Sequence, residues 1–433
     1  MTTANASWDT KYEWKAVTLL ALGFGLVGLD RWIIAPLFPF MAKDLGLDYQ
    51  AIGNLVGILG MVWGVFAVVS GRLSDRIGHR KILVPAVLLF SFMSGVSGLA
   101  NSLGALIVIR GLMGLLEGSY CPTSFAATAA AAHPSRRGLL QGLQQSGFAL
   151  FGFGLGPIIA TQLLAVVPSW RWVFWVVAIP GFLVGVGLWL VLREPAAASH
   201  PADSKSREER RWGPASAAPS ETGGYGRIFR SRNIVLCMLG LACAMSCIFV
   251  LGGMLPNYLI DYVHLTPQQM GFVTSALGFG GFVGQFAVPG VSDLLGRRLT
   301  AVLTFVAAAL GVWGLMHVGA SPISLFMMVF IVSLFSLGAV ALITGPIATE
   351  SAPAGLVSSA IGIVVGSGEI FGGGVAPAIG GAIAQRYGIE NIFWMPLVGV
   401  ALGALVTIGL NETAPRKVAR RVMPVEAPAV PSR

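Results

Sequence analysis

Four charged residues occur inside apolar stretches of this chain: Asp30 and Arg31 in one stretch, and Arg110 and Glu117 in another. An ionisable group at membrane depth is costly unless it faces a cavity or a partner, so such groups mark ion, proton or substrate pathways. The planar guanidinium of arginine suits a carboxylate, and a carboxyl group in a partly dry cavity can load and release a proton. These residues therefore predict a site that binds an organic anion and exchanges protons.

The spacing within the second pair supports one shared site. Arg110 and Glu117 are seven residues apart, so on a helix they lie on the same face, about 10 Å from each other along the axis. Tyr120 follows on that face and is a further substrate-binding candidate. The alternative is structural: buried salt bridges of Asp30 with Arg110, or of Arg31 with Glu117, although such pairs stabilise poorly relative to apolar packing.

Composition identifies the elements that must position these residues. Of 433 residues, 55% are hydrophobic and 11% are charged, and the mean hydropathy is +0.77, whereas soluble domains carry about 25% charged residues. We therefore predict an all-α integral membrane protein with twelve apolar stretches, each long enough to cross the hydrocarbon core. They cover about 16–40, 51–71, 82–101, 104–126, 139–165, 171–192, 234–259, 270–290, 300–319, 323–345, 358–384 and 391–411.

The basic residues predict the orientation of these spans. Of the 28 Lys and Arg, only Lys43, Arg171 and Arg386 fall in odd-numbered loops, and only Arg31 and Arg110 fall inside spans. The positive-inside rule then places both termini in the cytoplasm of a multi-pass protein of the cell (inner) membrane. The net charge of +9 follows from this topology, so it gives no support for nucleic-acid binding. The first residues lack the pattern of a cleaved signal peptide.

Neither an enzyme nor a metal site is predicted. The four cysteines fall inside spans, and Cys243 and Cys247, four residues apart, have no His or acidic neighbours. No nucleophile, base and orienting group occur together, so no catalytic residues, cofactor or metal are expected.

The chain divides into two similar halves. We predict a six-helix bundle over residues 1–192, a polar cytoplasmic linker over 193–232 and a second six-helix bundle over 233–433. Ser74 and Asp75 recur as Ser292 and Asp293 at an offset of 218, and the pattern from Phe151 to Pro157 recurs from Phe371 to Pro377 at 220. A duplicated six-helix unit commonly binds its substrate near the membrane midplane, between halves that rock against each other.

The loop between spans two and three resembles the signature loop of the major facilitator superfamily, and the likeness extends over essentially the whole chain. The residues that carry it, with those of the second copy, are Gly71, Asp75, Arg76, Gly78, Arg80, Asp293, Gly296 and Arg298. This resemblance implies a cytoplasmic latch that helps to hold the outward-open state. No Arg or Lys begins span eleven to pair with Asp75, and Pro289 replaces Gly71 in the second copy.

Within the superfamily, the Asp30-Arg31 pair and the segment from Arg110 to Pro122 resemble the anion:cation symporters. The resemblance implies that Asp30 and Glu117 are protonation sites and that Arg31 and Arg110 bind or position the anion. It also implies a secondary active transporter of a small carboxylate, such as a sugar acid or an aromatic acid, coupled to protons by symport and alternating access.

The second half does not repeat these charges. Its midspan acid is Glu369, followed by Gly372, Gly373 and Gly374, which permit close helix approach or local unwinding. Glu369 is a candidate for a third proton site or for a hydroxyl acceptor, and the alternative is a helix–helix hydrogen bond. Weaker candidates for hydrogen-bonding a polar substrate are Gln144, Gln145, Asn257, Tyr258 and Ser367.

Two other functions stay open. The segment from Gly152 to Thr161 partly resembles the span-five signature of drug antiporters, which predicts proton-driven efflux of a drug or metabolite. Two arginines in the first half argue against cationic drugs. A membrane sensor without transport is the other alternative, although the chain has no output domain. The expected partners are an organic anion, protons and lipid, with the monomer as the functional unit.

Overall fold

The computed structural model describes residues 9–133, 136–193, 224–353, 356–414 and 417. Its helices include twelve long and apolar enough to cross a membrane, which confirms the predicted all-α membrane fold. We number them span 1 to span 12: Thr10–Leu45, Tyr49–Ser70, Arg80–Ser97, Leu103–Ala131, Leu139–Leu164, Trp170–Val191, Arg232–Tyr262, Pro267–Leu295, Arg297–His317, Pro322–Ser351, Ser359–Tyr387 and Ile389–Ile408.

Several spans are longer than the apolar stretches that predicted them. The helix of span 2 runs on to Ile77. The Asp9 side chain accepts a hydrogen bond from the Tyr12 backbone N–H, and Asp48 does the same for Ala51. Such caps satisfy backbone donors that have no partner within the helix, so the helices extend past their apolar residues. A further short helix, Gly224–Arg230, lies inside the predicted linker, and the charged run at 205–211 lies outside the described residues.

Span 1 is interrupted beside its charged pair. The first part is the helix Thr10–Trp32 and the second is Ile34–Leu45, with a break at Ile33. Pro36 has no backbone N–H and its ring crowds the carbonyl of Trp32, four residues earlier, which accounts for the break. Arg31 therefore lies in the last turn of the first part.

Spans 5 and 11 carry matching irregular segments. A π-helical segment covers Ala149–Leu155 in span 5, and another covers Gly368–Val375 in span 11, beginning 219 residues later. Pro157 and Pro377 follow at equivalent positions and remove one backbone donor each. The repeat seen in the sequence is thus present in the structure, and the glycines that follow Glu369 lie within the π-helical segment.

The two halves pack closely along spans 2 and 11. A methyl group on Gly53 would lie 2.4 Å from the carbonyl oxygen of Pro377, and one on Gly57 would lie 2.6 Å from that of Gly374. Such distances are far below van der Waals contact, so only glycine allows the two backbones to approach this closely. Spans 5 and 8 meet in the same manner at Gly278, where a methyl group would lie 1.9 Å from the amide nitrogen of Gly154.

Hydrogen bonds join the halves at the end of the bundle opposite to Thr10 and Ile408, which we call the far face and which includes Leu45 and Tyr49. The Tyr49 hydroxyl donates to Asp261 at 3.0 Å, and the Tyr49 backbone N–H donates to the Gln385 side chain at 3.0 Å. The Gln50 side chain donates to the carbonyl of Ala378 at 3.1 Å. These contacts hold the far face together in this conformation.

Candidate functional site

An ion pair joins the two halves near the middle of the bundle. Arg31 Nη2 lies 2.8 Å from Glu369 Oε2, and the two side chains are only 2% and 7% exposed. Arg31 belongs to the last helical turn before the break in span 1, and Glu369 belongs to the π-helical segment of span 11. Both irregularities therefore lie at the residues that pair.

Aromatic rings surround the Arg31 guanidinium. Its central carbon lies 4.6 Å from the ring centroid of Phe249, 5.6 Å from that of Trp63 and 5.8 Å from that of Trp32. Trp32 in turn stacks on Phe249 with centroids 5.0 Å apart and packs against Phe153 at 4.2 Å. We call Trp32, Trp63, Phe153 and Phe249 the aromatic box. All four side chains are buried, and cation–π attraction strengthens where water is excluded.

Asp30 and Arg110 are connected through the backbone of span 1. The Asp30 carboxylate accepts a hydrogen bond from the Ser94 hydroxyl at 2.8 Å. Arg110 Nη1 donates to the backbone carbonyls of Asp30 and Arg31, each at 3.2 Å. Because the carbonyls at the end of the first helical part of span 1 carry partial negative charge, a guanidinium is well placed there.

Glu117 is fully buried, and neither of its carboxyl oxygens has a hydrogen-bond partner among the described residues. Asp30, Arg31, Arg110 and Glu369 are all close enough to act on it electrostatically. The predicted charges of spans 1, 4 and 11 thus form one cluster of three acids and two arginines, which we call the charge cluster. A buried, unpaired carboxyl group is costly, so it signals function more than stability.

The structural alternative within the first half is wrong. Among the described residues, no ion pair joins Asp30 to Arg110 or Arg31 to Glu117. Arg31 pairs across the halves with Glu369 instead. The position of a residue along a helix gives its face, but the rotation and crossing of neighbouring helices decide which charge it meets.

Three of the predicted substrate-binding residues make packing hydrogen bonds. The Tyr120 hydroxyl donates to the carbonyl of Leu20 at 3.2 Å. The Gln144 side chain bonds to Thr128 and Ser124 within the first half, and the Ser367 hydroxyl bonds back to a carbonyl of its own helix. Their role in substrate binding stays a prediction, and in this conformation each has a partner within the protein.

The remaining three candidates for hydrogen-bonding the substrate either have unpaired polar atoms or are less buried. Asn257 is buried, and neither atom of its side-chain amide has a partner among the described residues. Gln145 and Tyr258 are half-buried, and Tyr258 stacks on Tyr262 with centroids 5.2 Å apart. Asn257 is therefore the weaker candidate with the most unused hydrogen-bonding capacity.

The signature loop is described in part. Gly78 ends its helix at φ 97°, a backbone conformation that favours glycine, and Gly296 does the same at φ 96° in the second copy. Arg80 donates to the carbonyl of Trp189 in span 6. The side chains of Asp75 and Arg76 and the surroundings of Gly71 lie outside what the structure describes, so the latch stays a prediction.

In the second copy of this loop, Arg297 forms the ion pairs. Arg297 pairs with Asp293 at 2.7 Å and with Glu350, at the end of span 10, at 2.8 Å. Arg298, which was predicted instead, is exposed. The sequence signal for this pair was Glu350, an acid at the end of span 10, together with Arg297, which directly follows Gly296.

Glu412 completes this network beyond span 12. It accepts hydrogen bonds from the backbone N–H groups of Arg297 at 2.8 Å and Ala414 at 3.0 Å. Partial burial alone would raise its pKa, but these donors stabilise the carboxylate and hold the pKa of Glu412 below the usual value.

The described part of the chain holds no group of three or more His, Cys, Asp or Glu placed to bind a metal ion. Its four cysteines are free thiols.

Comparison with known proteins identifies the architecture. The sequence profile of the Major Facilitator Superfamily matches residues 20–366 and 237–431. The chain belongs to this superfamily. Its members are transporters, so the protein is a multi-pass membrane transporter and not an enzyme.

Relatives named as transporters of organic acids align with most of the chain. A probable 4-methylmuconolactone transporter of Cupriavidus pinatubonensis is 28% identical over 85% of this chain and 83% of its own length. The sialic acid transporter NanX of Escherichia coli is 26% identical over 93% of this chain and 95% of its own. A bacterial homologue of the human lysosomal transporter Spinster, solved in an inward-facing, occupied conformation, superposes with a TM-score of 0.68 at 16% identity, covering 95% and 97% of the two chains. This last likeness concerns the fold.

Proposed function

We propose that the protein carries a small organic anion with a carboxylate group and couples its movement to protons by symport. The observation that carries this proposal is the charge cluster, in which two arginines and three acids are buried where the halves meet. The names of two relatives, a methylmuconolactone transporter and a sialic acid transporter, support an organic acid as cargo.

Arg31 is the proposed anchor for the anion. In this conformation its guanidinium binds the carboxylate of Glu369, and a substrate carboxylate has the same shape and charge. Substrate can therefore take the place of Glu369, because one guanidinium edge binds one carboxylate in the two-bond arrangement. Arg110 keeps one unpaired nitrogen, Nη2, and adds positive charge to the same cluster.

Charge balance links anion binding to protons. With all groups ionised, Asp30, Glu117 and Glu369 exceed Arg31 and Arg110 by one negative charge. Buried net charge is costly, so one bound proton is favoured in the absence of substrate. The carboxylate of a bound substrate brings the cluster back to an excess of one negative charge, so binding of a second proton is favoured. Glu117, whose oxygens have no partner, and Glu369, once displaced from Arg31, are the acceptors that we propose.

Two sets of contacts must break for the site to become accessible from one side of the membrane and then from the other. The far-face bonds of Tyr49 must break for the halves to separate there, and the Arg31–Glu369 pair must yield to substrate near the midplane. The distribution of basic residues supports a cytoplasmic location for the face opposite the far face. All the groups of the cluster come from one chain, so a monomer suffices.

Reconstituted vesicles test this proposal. With an inward proton gradient, uptake of an organic acid accompanied by proton entry supports symport, and Arg110→Gln should abolish the uptake. Arg193→Gln, which changes an exposed arginine outside the spans, is the matched control and should transport normally. Substrate efflux against proton entry would instead favour an antiporter, and full transport by Arg110→Gln would remove that residue from the site.

A further inference from the structure

We infer that the carboxylate carried by this protein is attached to a planar, unsaturated ring and bears few hydroxyl groups. This inference rests on the proposed function, since it names the class of organic acid that the charge cluster and the aromatic box accept together.

The walls around the anchor are aromatic. Arg31 is enclosed by the rings of Phe249, Trp63 and Trp32 within 5.8 Å. A carboxylate that replaces Glu369 on Arg31 must place the rest of its skeleton beside these rings. Planar rings stack well on one another, with offset or edge-to-face contacts that saturated, hydroxylated skeletons cannot reproduce.

Glycines let these walls close around the anchor. A methyl group on Gly252 would lie 2.5 Å from a Phe153 ring carbon and 2.8 Å from Trp32. A methyl group on Gly373 would lie 2.8 Å from Glu369 Oε2 and 3.1 Å from Phe249. The rings and the carboxylate therefore sit directly on helix backbones, which fixes the aromatic walls beside the anchor.

The unused hydrogen-bonding groups are mostly donors. Among the described residues, the buried nitrogens without a partner in the box and the cluster are Trp32 Nε1, Trp63 Nε1, Arg31 Nε and Arg110 Nη2. Among the described residues of the same box and cluster, the buried acceptors without a partner are the two carboxyl oxygens of Glu117. Indole and guanidinium nitrogens only donate, so they match carboxylate, carbonyl, lactone or phenolic oxygens.

A sugar acid fits this arrangement poorly. Each of its several hydroxyl groups gives up water on binding and needs an acceptor, and the aromatic rings provide none, which leaves the carboxyl groups of the charge cluster to serve them all. A buried polar group without a partner weakens binding substantially. An acid with a planar ring and one or two further oxygen acceptors avoids this cost and uses the indole donors.

Binding of three acids to the purified, full-length carrier tests the inference. The probes are benzoate, cyclohexanecarboxylate and glucuronate, measured by tryptophan fluorescence and thermal shift at one pH. Benzoate and cyclohexanecarboxylate share a carboxylate and differ in planarity, whereas glucuronate adds hydroxyl groups. We expect benzoate to bind about tenfold more tightly than cyclohexanecarboxylate, and glucuronate to bind most weakly.

Two substitutions at Trp63 locate the effect. Trp63→Phe keeps a ring but loses the indole N–H that a phenolic oxygen accepts from. A fourth probe, 4-hydroxybenzoate, should therefore bind this variant more weakly, by a factor of up to about ten. Trp63→Leu loses the ring and should abolish the preference for benzoate over cyclohexanecarboxylate. Trp313→Leu removes an indole that is 51% exposed on span 9 and should leave that preference unchanged. A preference that survives in folded Trp63→Leu would overturn the assignment of the box.

The outcomes separate this inference from the proposed function. If glucuronate binds tightly and Arg31→Gln abolishes that binding, the proposed anion transport stands and the inference of a planar-ring substrate is wrong. Equal binding of benzoate and cyclohexanecarboxylate would overturn it as well. If a folded protein that unfolds cooperatively binds none of the probes, both the inference and the anion site fail.

Discussion

Glu369 occupies the guanidinium that we assign to the substrate, so its removal has a distinctive consequence. Glu369→Gln keeps the shape and one acceptor oxygen but removes the negative charge that competes with the anion. Arg31 donates to both carboxylate oxygens of Glu369, and glutamine keeps only one acceptor. The variant therefore loses one hydrogen bond to a charged group, which contributes about 1.5–3 kcal/mol, so a carboxylate should bind at least about tenfold more tightly.

Glu369→Ala should behave differently, although it removes the same charge. Arg31 is 2% exposed, and alanine leaves its guanidinium with neither an opposite charge nor an acceptor, whereas glutamine keeps an acceptor. Removing one partner of a buried ion pair in this way costs about 3–5 kcal/mol. We therefore expect a large fall in the melting temperature of Glu369→Ala, recovered in part by saturating benzoate. The double variant Arg31→Gln with Glu369→Gln should be more stable than Glu369→Ala but should bind no carboxylate. A double-mutant cycle with the two single glutamine variants then separates the effect on stability from the effect on carboxylate binding.

Titration of each purified variant with benzoate, with melting temperature measured in parallel, checks these expectations. Glu350→Gln is the matched control, because it removes an acid that pairs with Arg297 outside the site and should reduce stability without changing benzoate affinity. Unchanged or weaker binding by a well-folded Glu369→Gln would refute the competition between Glu369 and substrate.

Three further results are expected. Glu117→Gln should bind and exchange substrate but lose accumulation driven by a pH gradient; a variant that still concentrates substrate would remove Glu117 from coupling. Tyr49→Phe loses the hydrogen bond to Asp261, which contributes about 1 kcal/mol and shifts the balance between the closed and open far face about fivefold toward open. A cysteine introduced at buried Val56 should therefore react faster with maleimide. Glu412→Gln should lower the melting temperature near neutral pH by removing about 1 kcal/mol. Because the folded pKa of Glu412 is depressed, this contribution is present above the ordinary Glu pKa and is lost as the pH falls through the folded value, so the difference from wild type should close in acid.

Sequence patterns predicted the architecture because hydropathy is a local property. Each span needs its own run of apolar residues, and the duplication leaves matched residues such as Pro157 and Pro377 at nearly one offset. The ends of the spans were less predictable, since caps such as Asp48 extend the helices into polar sequence.

The sequence by itself also determined which residues are out of place in a bilayer. Asp30, Arg31, Arg110, Glu117 and Glu369 could be identified because burying an ionisable group in lipid is costly whatever its partner. The pairing was decided only by the tertiary structure. Arg31 meets Glu369, which is 338 residues away, and not Glu117, because the rotation of span 1 and the close approach of spans 2 and 11 fix which side chains face each other.

The aromatic box also required the fold. Trp32, Trp63, Phe153 and Phe249 come from four different spans, and in the sequence they resemble any aromatic residues that contact lipid. They form a box because glycines at the helix crossings bring the backbones close enough for three of these rings to surround one guanidinium and for Phe153 to pack on Trp32. Such crossings depend on contacts summed over whole helices, which no local pattern of residues encodes.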